Sequence, residues 1–242
     1  MKILGVIPAR YDSTRLPGKV LRDIAGKPML YRVYRNARQS RVLADLVVAT
    51  DSDRVARFCD GEGIPVLLTG IHPSGTDRLR EVMERIEADV YINIQGDEPT
   101  VRPEHIEAVA GPFITGEARV ATLKVAIEEA AARDPNVVKV VTDDSGRALY
   151  FSRHPIPFDR DGVGGIKRYK HIGIYAYTRE ALRLFHSLAE SSLESAEKLE
   201  QLRFLQNGVA IHVVETPHDT VGVDTEADLE RVNLLFSGAE AK

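Results

Sequence analysis

The sequence predicts an α/β fold in which helices cover a mostly parallel sheet. Through the first half of the chain, short runs rich in Val, Ile and Leu alternate with amphipathic runs. Strands separated by helices form parallel sheets, because each helix returns the chain to the same edge of the sheet. The chain has 242 residues, 43% of them hydrophobic, which is enough for one large domain.

The predicted elements of the first half follow in order. Strands are predicted at Ile3–Ile7, Asp45–Thr50, Val66–Leu68 and Val90–Ile94. Helices are predicted at Met29–Arg38, Asp53–Gly61 and Asp77–Glu87. Each strand is closed by a polar or turn residue, and binding sites in such sheets collect at the carboxyl ends of the strands. We therefore expect functional residues at these ends.

The second half has a different pattern. Strands are predicted at Val137–Val141, Ala148–Ser152, Lys170–Tyr177 and Ala210–Glu215. Helices are predicted at Glu180–Leu188, Ser195–Gln206 and Glu226–Phe236, and Asn207-Gly208 is a stop signal for the second of them. We predict a single domain, residues 1–242, whose middle at about 145–190 forms a lobe on one side.

Composition excludes several classes of protein. A net charge of −4 and a pI near 6.0 argue against nucleic-acid binding, which needs a basic surface. Cys59 is the only cysteine, so a disulfide within the chain and a cysteine-based metal site are excluded, and we expect it to be buried. Since the first apolar run ends at Pro8 and no apolar run is long enough to span a membrane, we expect a cytoplasmic protein without membrane contact.

The loop after the first strand, IPARYDSTRLPGK (residues 7–19), concentrates positive charge. Its three fixed cations are Arg10, Arg15 and Lys19. Such side chains neutralise phosphate, while Ser13, Thr14 and the backbone N–H groups around Gly18 can donate to phosphate oxygens. The pattern predicts a site for the phosphate tail of a nucleotide.

Two other interpretations of this loop are weaker. It is not a Walker A loop, because valine rather than serine or threonine follows Lys19. A solvated basic loop paired with carboxylates such as Asp12 and Asp23 remains open, but the position at a strand end favours phosphate binding.

The stretch QGDEP places Asp97 and Glu98 directly after the fourth predicted strand. Two adjacent acids repel each other unless a cation lies nearby. Mg²⁺ binds one or two protein carboxylates together with phosphate oxygens, so Asp97 is a candidate ligand. The alternative is that one of these acids caps the helix that begins near Pro103.

A third acid appears late, in GVDTEADLE. A capping box formed by Thr225 and Asp228 explains Thr225 but leaves Asp224 without a structural role. If Asp224 lies beside Asp97, the two carboxylates could hold one metal ion.

Two further stretches combine structural and functional interpretations. HPSGTDR (residues 72–78) is mainly a helix-capping signal, although Ser74 and Arg78 could also contact a ligand. In ALYFSRHPIPF, Arg153 could clamp a carboxylate or pack on the surface.

Two stretches near the C-terminus have the same ambiguity. In YKHIGIYAY, alternation puts His171 and Tyr175 on one face of a strand, where a lone histidine is more often structural. In EKLEQLRFLQNG, helical spacing favours solvated positions for Glu200 and Gln201. The absence of an HExxH motif, paired cysteines and GxGxxG gives no support to zinc enzymes or dinucleotide oxidoreductases.

Taken together, these stretches resemble the 3-deoxy-D-manno-octulosonate (Kdo) cytidylyltransferase family, the CMP-Kdo synthetases of bacterial lipopolysaccharide assembly. The matching pieces are IPARYDSTRLPGK, DIAGKPM, VVATD, HPSGTDR, NIQGDEP, PNVVKVV, ALYFSRHPIPF, YKHIGIYAY, LEQLRFLQNG and GVDT. They stand in the family's order, between about residues 2 and 235. Pro8-Ala9 stands where related sugar nucleotidyltransferases have a glycine-rich loop, as it does in the Kdo enzymes.

The resemblance implies a reaction and a fold. CTP and Kdo would give CMP-Kdo and pyrophosphate with Mg²⁺ required, the anomeric hydroxyl attacking the α-phosphorus. The implied fold is the Rossmann-like nucleotide-diphospho-sugar transferase fold. The implied assembly is a homodimer, with the inserted lobe contributing to dimerisation and to sugar binding.

The resemblance also implies roles for individual residues. The triphosphate would be held by Arg10, Ser13, Arg15 and Lys19. The nucleotide would be placed by Ser74, Arg78 and Gln95. Mg²⁺ would be held by Asp97 and Asp224, which with Arg10 and Lys19 form the catalytic set. The sugar acid would be contacted by Arg153, His171, Tyr175, Glu200 and Gln201.

Three alternatives remain open at this point. A cytidylyltransferase for a related sugar acid, 8-amino-Kdo or sialic acid, would share the CTP loops. A catalytically silent nucleotide-binding protein would not need the four catalytic residues. A glycosyltransferase usually has its metal-binding acids close together in sequence, unlike Asp97 and Asp224.

Overall fold

The structure, a computed structural model, describes residues 1–13 and 15–240. Thr14, one of the expected phosphate donors, lies outside the described residues. The chain forms two compact units, Met1–Glu107 with Thr220–Lys242 and Ala108–Asp219. The lobe predicted at about residues 145–190 falls within the second unit, and its status as an insertion in a single domain stays a prediction.

The elements alternate as predicted over the first half of the chain. The strands are β1 (Ile3–Pro8), β2 (Asp23–Ile24), β3 (Lys27–Pro28), β4 (Asp45–Thr50), β5 (Val66–Leu68), β6 (Val90–Asn93), β7 (Val120–Ile127), β8 (Lys139–Thr142), β9 (Ala148–Ser152), β10 (Arg168–Thr178) and β11 (His212–Glu215). The helices are α1 (Met29–Ala37), α2 (Asp53–Gly61), α3 (Gly75–Arg85), α4 (Pro103–Ile114), α5 (Glu129–Ala132), α6 (Arg179–Ser187), α7 (Ser192–Glu197), α8 (Leu202–Gln206) and α9 (Glu226–Glu240). A 3₁₀ helix spans Lys19–Leu21.

The first unit contains a parallel sheet in the order β6-β1-β4-β5. Its central strand, β1, is buried along most of its length, and Val6 is in register with Val47 of β4 and Asn93 of β6. Because the strands are parallel, their carboxyl ends share one edge of the sheet. The predicted α/β fold with a mostly parallel sheet is confirmed, and the predicted phosphate loop leaves from this edge.

The second unit contains strands in the order β11-β7-β10, with β8 pairing β10 and β9 pairing β8. β7 runs antiparallel to β10 and parallel to β11. The pairing of β10 with β7 shifts register between Ile172 and Tyr175, so β10 carries an irregularity at its centre. β7 lies outside the predicted strands, although six of its eight residues are buried.

The predicted single helix at Ser195–Gln206 is wrong, because two short helices, α7 and α8, occupy this stretch. A capping box on Ser191 begins α7 earlier than predicted, and Lys198, at φ 54°, ends it in the left-handed conformation. The two helices are joined by an ion pair in which the guanidinium of Arg203 donates to Glu194 at 2.5 and 2.8 Å. The stop predicted at Asn207-Gly208 is confirmed, since α8 ends at Gln206 and Gly208 has φ 72°.

Two other expectations can be compared with the structure. Cys59 is fully buried in α2, as predicted. Among the residues that the structure describes, no helix is both long and apolar enough to cross a bilayer.

Gly96 follows β6 at a point where two backbone segments touch. A Cβ atom at this position would lie 2.7 Å from the carbonyl oxygen of Pro8 at the end of β1. Backbone atoms cannot move aside as a flexible side chain does, so a larger residue would push the segment after β6 away from β1.

We predict that Gly96→Ala lowers the free energy of unfolding by about 1–3 kcal/mol, the typical effect of overpacking. Urea denaturation measures the change. Gly111→Ala is the control, because no heavy atom lies within 4 Å of a Cβ at that helical position. Equal stability of wild type and Gly96→Ala would show that the contact with Pro8 imposes no constraint.

Candidate active site

Two segments distant in sequence are joined by hydrogen bonds beyond the end of β6. The N–H of Val223 donates to the carbonyl of Asp97 at 2.9 Å, and the N–H of Val221 donates to the hydroxyl of Thr100 at 2.7 Å. The later segment therefore lies along the QGDEP loop, although it forms no regular strand. This pairing brings Asp224 close to Asp97.

Lys19 lies between the two carboxylates. Its Nζ is 2.5 Å from Asp97 Oδ2 and 3.0 Å from Asp224 Oδ1. The Lys19 side chain is 13% exposed, whereas those of Asp97 and Asp224 are 33% and 50% exposed, so the acids keep a surface open to a ligand. A second cation, Arg15, lies 3.1 Å from Asp224 Oδ1 and is mostly exposed. Asp224 therefore does lie beside Asp97, with Lys19 in contact with both acids, while the role of these residues toward a ligand stays a prediction.

The backbone around Lys19 is fixed from two sides. Gly18 adopts φ 66°, and its N–H donates to the carbonyl of Tyr11 at 3.2 Å, which closes the loop on itself. A Cβ on this glycine would also lie 3.0 Å from the Tyr11 hydroxyl oxygen. Beneath the loop is an apolar cluster of Leu16, Ile24, Met29, Val223, Leu229 and Val232. The cluster ties the phosphate loop to α9 and to the segment that carries Asp224.

The capping interpretation of the late acidic stretch is also confirmed. Thr225 Oγ1 accepts from the N–H of Asp228 at 3.2 Å, and Asp228 Oδ2 accepts from the N–H of Thr225 at 2.9 Å. The side chain of Asp224 takes no part in this cap, and its oxygen instead pairs with Lys19 and Arg15. Thr225 and Asp228 therefore cap the helix, whereas the carboxylate of Asp224 pairs with the cations Lys19 and Arg15.

The electrostatics of the cluster hold Lys19 in its charged form. Desolvation lowers its pKa, but the charge and hydrogen bonds of Asp97 and Asp224 outweigh this, so the pKa of Lys19 is raised above its usual range. The ammonium is thus a fixed positive charge at neutral pH. It neutralises one of the two carboxylate charges and leaves the cluster of Lys19, Asp97 and Asp224 with a net negative charge.

The other two residues predicted to bind the triphosphate, Arg10 and Ser13, differ in their surroundings. Arg10 is exposed and has no ion pair or hydrogen bond from its side chain among the described residues. Ser13 Oγ accepts from the N–H of Leu16 at 3.4 Å, a long bond that keeps the hydroxyl proton for another acceptor. Arg10 is therefore a cation of this loop that a ligand can bind without breaking a side-chain contact to any described residue.

Ser74 and Arg78, predicted to place the nucleotide, have internal partners. Ser74 is the N-cap of α3, and its Oγ accepts from the N–H of Asp77 at 3.1 Å. Arg78 is 2% exposed and donates to Asp51 Oδ2 at 2.8 Å, to the carbonyl of Gly70 at 3.3 Å and to the hydroxyl of Thr69. These bonds tie α3 to the ends of β4 and β5, so the geometry gives Arg78 a role in holding loops. Its direct contact with a nucleotide stays a prediction.

Gln95 begins the segment that carries Asp97. It directly follows the buried Ile94, and its carbonyl accepts from the N–H of Glu98 at 3.2 Å, which forms the turn that displays Asp97. The half-buried side chain of Gln95 stands on the same edge of the sheet as the opening loop. A role in placing the nucleotide stays a prediction.

In the second unit, the predicted sugar-acid residue Arg153 is held by backbone carbonyls. Its Nε donates to the carbonyl of Glu197 at 2.7 Å and its NH1 to the carbonyl of Pro135 at 3.1 Å. The Glu197 carboxylate accepts from the N–H of Arg153, and Lys139 Nζ donates to the Arg153 carbonyl. Arg153 is consequently fixed at both its backbone and its side chain.

His171 and Tyr175 belong to a row of aromatic rings. The His171 ring centroid lies 5.1 Å from that of Phe151 and 5.3 Å from that of Tyr175, which stacks on Tyr177 at 5.6 Å. Desolvation, with a smaller contribution from Lys170, lowers the pKa of His171 to about 3. Burial is also the main reason that the pKa of Tyr175 is raised well above its usual range. Both rings are therefore uncharged at neutral pH.

Glu200 and Gln201 lie in the turn before α8. The solvated position that helical spacing favours for Gln201 is wrong, since this side chain is 8% exposed. Its Nε2 has no hydrogen-bond partner among the described residues. Glu200 is half-buried and its charge contributes to the raised pKa of Tyr175, which places these two residues near the same aromatic row.

Three residues with strong contacts were not singled out from the sequence. Asp51 anchors Arg78, Glu197 anchors Arg153, and Thr122 contacts His171 at 3.1 Å. The only signal for Asp51 was its place after a buried strand, in VVATD. Glu197 and Thr122 act through partners distant in the chain, which spacing does not reveal.

Comparison with known proteins gives a consistent result. The family model described as cytidylyltransferase matches residues 4–211. The 3-deoxy-manno-octulosonate cytidylyltransferase of Koribacter versatilis is 53% identical over 237 residues, which cover 98% of this chain and 90% of the relative. The enzyme of the same name from Geobacter sulfurreducens is 49% identical and covers 96% of this chain and 98% of its own.

Solved structures are similar too. The structure of a CMP:2-keto-3-deoxy-manno-octonic acid synthetase complexed with CTP matches with a TM-score of 0.95 and 47% identity, over 99% of this chain and 100% of the other. A cytidylyltransferase from Leptospira borgpetersenii matches with a TM-score of 0.64 and 18% identity, over 98% of this chain and 87% of the other. The second match shows a shared fold alone.

Proposed function

The chain belongs to the 3-deoxy-manno-octulosonate cytidylyltransferase family, and we propose that it transfers CMP from CTP to Kdo. The products are CMP-Kdo, used in lipopolysaccharide biosynthesis, and pyrophosphate. The observation that carries this proposal is the contact of Lys19 with both Asp97 and Asp224, in a loop that also contains Arg10, whose side chain has no partner among the described residues. These are the four residues expected to be catalytic.

The first unit supplies charge for the triphosphate. CTP carries a charge of about −4, and phosphoryl-type transfer mainly requires positioning and charge neutralisation from the protein. Arg10 and Arg15 are exposed and Lys19 is charged, so the three together with Mg²⁺ can balance the phosphates and the departing pyrophosphate. Ser13 has a hydroxyl proton available for a phosphate oxygen.

Asp97 and Asp224 suit Mg²⁺, which takes oxygen ligands. Both carboxylates already face one cation, the Lys19 ammonium, and Mg²⁺ commonly uses only one or two protein carboxylates. No group of three or more His, Cys, Asp or Glu side chains that could hold a metal occurs among residues 1–13 and 15–240, so a site that relies on phosphate oxygens is the arrangement that fits. When bound, Mg²⁺ supplies Lewis-acid polarisation of the phosphate oxygens.

The bond changes are those of a single displacement. The anomeric oxygen of Kdo bonds to the α-phosphorus, the bond from that phosphorus to the bridging oxygen breaks, and pyrophosphate leaves. The hydroxyl proton passes to solvent. With a pKa of about 3, His171 is a poor proton acceptor, so we assign it to binding rather than to proton removal.

The residues expected to contact Kdo lie in the second unit. His171 and Tyr175 offer uncharged polar atoms, and the amide of Gln201 has an unpaired, buried Nε2. Buried polar groups that lack a partner gain most when a ligand with hydroxyl groups supplies one. Related sugar acids would use the same CTP loops, and the family favours Kdo over 8-amino-Kdo or sialic acid.

The homodimer and the location are further parts of the proposal. Three large apolar side chains on the lobe at about 145–190 are strongly exposed: Leu149 (62%), Phe158 (80%) and Val163 (84%). Exposed apolar residues of this size are typical of interfaces, which supports a dimer formed through the lobe. Sedimentation equilibrium would report the assembly. The cytoplasmic location stays a prediction.

The substrate is tested by measuring pyrophosphate release from CTP with Kdo, 8-amino-Kdo or sialic acid, each with Mg²⁺ or with a chelator. We expect release to be fastest with Kdo and to be lost with the chelator, because phosphate oxygens then lack their divalent counter-charge. Equal rates with sialic acid, or release that ignores the chelator, would refute the assignment.

We predict that Asp97→Asn lowers pyrophosphate release by at least about 100-fold, the scale of removing a charge-stabilising group. The substitution keeps the shape of the side chain but removes its charge, so circular dichroism should be unchanged. Asp144→Asn is the matched control, since that acid is exposed and lies in a turn of the second unit. A wild-type rate in Asp97→Asn would remove Asp97 from the metal site.

A further inference from the structure

A buried hydroxyl in the second unit meets two backbone carbonyls, the ring of His171 and the hydroxyl of Tyr175. Thr122, in β7, is 0% exposed. Its Oγ1 lies 3.0 Å from the carbonyl oxygen of Ile172, 2.9 Å from that of Ile174 and 3.1 Å from Nε2 of His171. The register shift in β10 accounts for this convergence, because it lies between Ile172 and Tyr175 and both carbonyls belong to the irregular stretch.

The protons at this point can be assigned by counting donors. A hydroxyl has one proton and two lone pairs, and a carbonyl oxygen only accepts. If Thr122 donated to His171, its oxygen would face two carbonyl oxygens at about hydrogen-bond distance with no proton between them, which is repulsive in a buried site. The hydroxyl proton therefore lies toward the two carbonyls, which can share it, and the ring nitrogen must be the donor to Thr122.

His171 is then left with one free acceptor. A neutral imidazole that donates from Nε2 carries no proton on Nδ1. The described residues offer Nδ1 no hydrogen-bond partner. The ring packs against those of Phe151 and Tyr175, at 5.1 and 5.3 Å between centroids, which restricts the direction in which the acceptor points.

We propose that Thr122 is a positioning residue that fixes His171 as the Nε2–H tautomer, so that Nδ1 accepts a hydrogen bond from a hydroxyl group of the sugar acid. The last part rests on the proposed function, whereas the tautomer does not. The unprotonated Nδ1 favours a substrate group that donates a hydrogen bond at this point. A substrate group that only accepts hydrogen bonds would face the lone pair of Nδ1 and be repelled. The low pKa of His171 agrees with this role, because a protonated ring would have no acceptor.

The tautomer is tested in the wild-type protein without substrate, by long-range ¹H–¹⁵N correlation spectra at pH 7. The chain has seven histidines, and the signals of His171 are identified by their loss in His171→Gln. We expect a protonated Nε2 and a bare Nδ1. A protonated Nδ1, or a doubly protonated ring, would overturn the proposal whatever the enzyme's activity.

The functional part is tested with Thr122→Val, which keeps the side-chain shape, and Thr122→Ser, which keeps the hydroxyl. We expect Thr122→Val to mix the tautomers of His171 and to raise KM for Kdo about threefold to tenfold, the worth of one hydrogen bond. KM for CTP should not change, and Thr122→Ser should restore both the spectrum and KM. The control is Thr216→Val, which removes another buried hydroxyl of the same unit, one that accepts from the N–H of His218.

The outcomes separate this inference from the proposed function. An unchanged KM for Kdo in Thr122→Val, or an equal rise in Thr216→Val, would reject the role of Thr122 in substrate binding. If the wild type released no pyrophosphate with any sugar acid, the proposed function and the role toward Kdo would both fall. The spectrum would still decide whether Thr122 sets the tautomer.

Discussion

One ammonium group, that of Lys19, determines the arrangement on which the candidate active site depends. Asp97 and Asp224 come from distant parts of the chain, and two carboxylates brought together repel unless a cation separates them. Lys19 supplies that cation from a loop fixed by Gly18 and by the apolar cluster under Leu16. Lys19 and the two acids are therefore in place before any ligand arrives, and the one net negative charge of these three groups is offset by the exposed Arg15 beside Asp224.

The cations of the molecule divide into those used internally and those left for a ligand. Arg78 and Arg153 donate to protein acceptors, and their bonds hold loops in place. Arg10 has no such partner among the described residues, and Arg15 is mostly exposed beside Asp224. A substrate that binds Arg10 and Arg15 breaks few internal contacts. More of its binding energy is therefore available for positioning.

Local patterns predicted the parallel half of the fold well. The strands at 45–50 and 66–68 and the helix at 53–61 are confirmed with their predicted bounds, because hydrophobic period and turn residues agree there. The break at Lys198 was not predictable, since a lysine rarely adopts the left-handed conformation and nothing in the local sequence signals it. Nor could spacing reveal that Arg78 is buried, because its partner Asp51 lies on another strand end.

The central claim is that Lys19 holds the two acids together, and a double-mutant cycle on stability tests it most directly. Urea unfolding of wild type, Lys19→Met, Asp97→Asn and the double variant is measured at low salt without nucleotide or metal. We expect Lys19→Met to destabilise the protein and Asp97→Asn to restore part of the lost stability, with a coupling of about 1 kcal/mol for these partly exposed groups. Additive effects, with no coupling beyond about 0.3 kcal/mol, would contradict it.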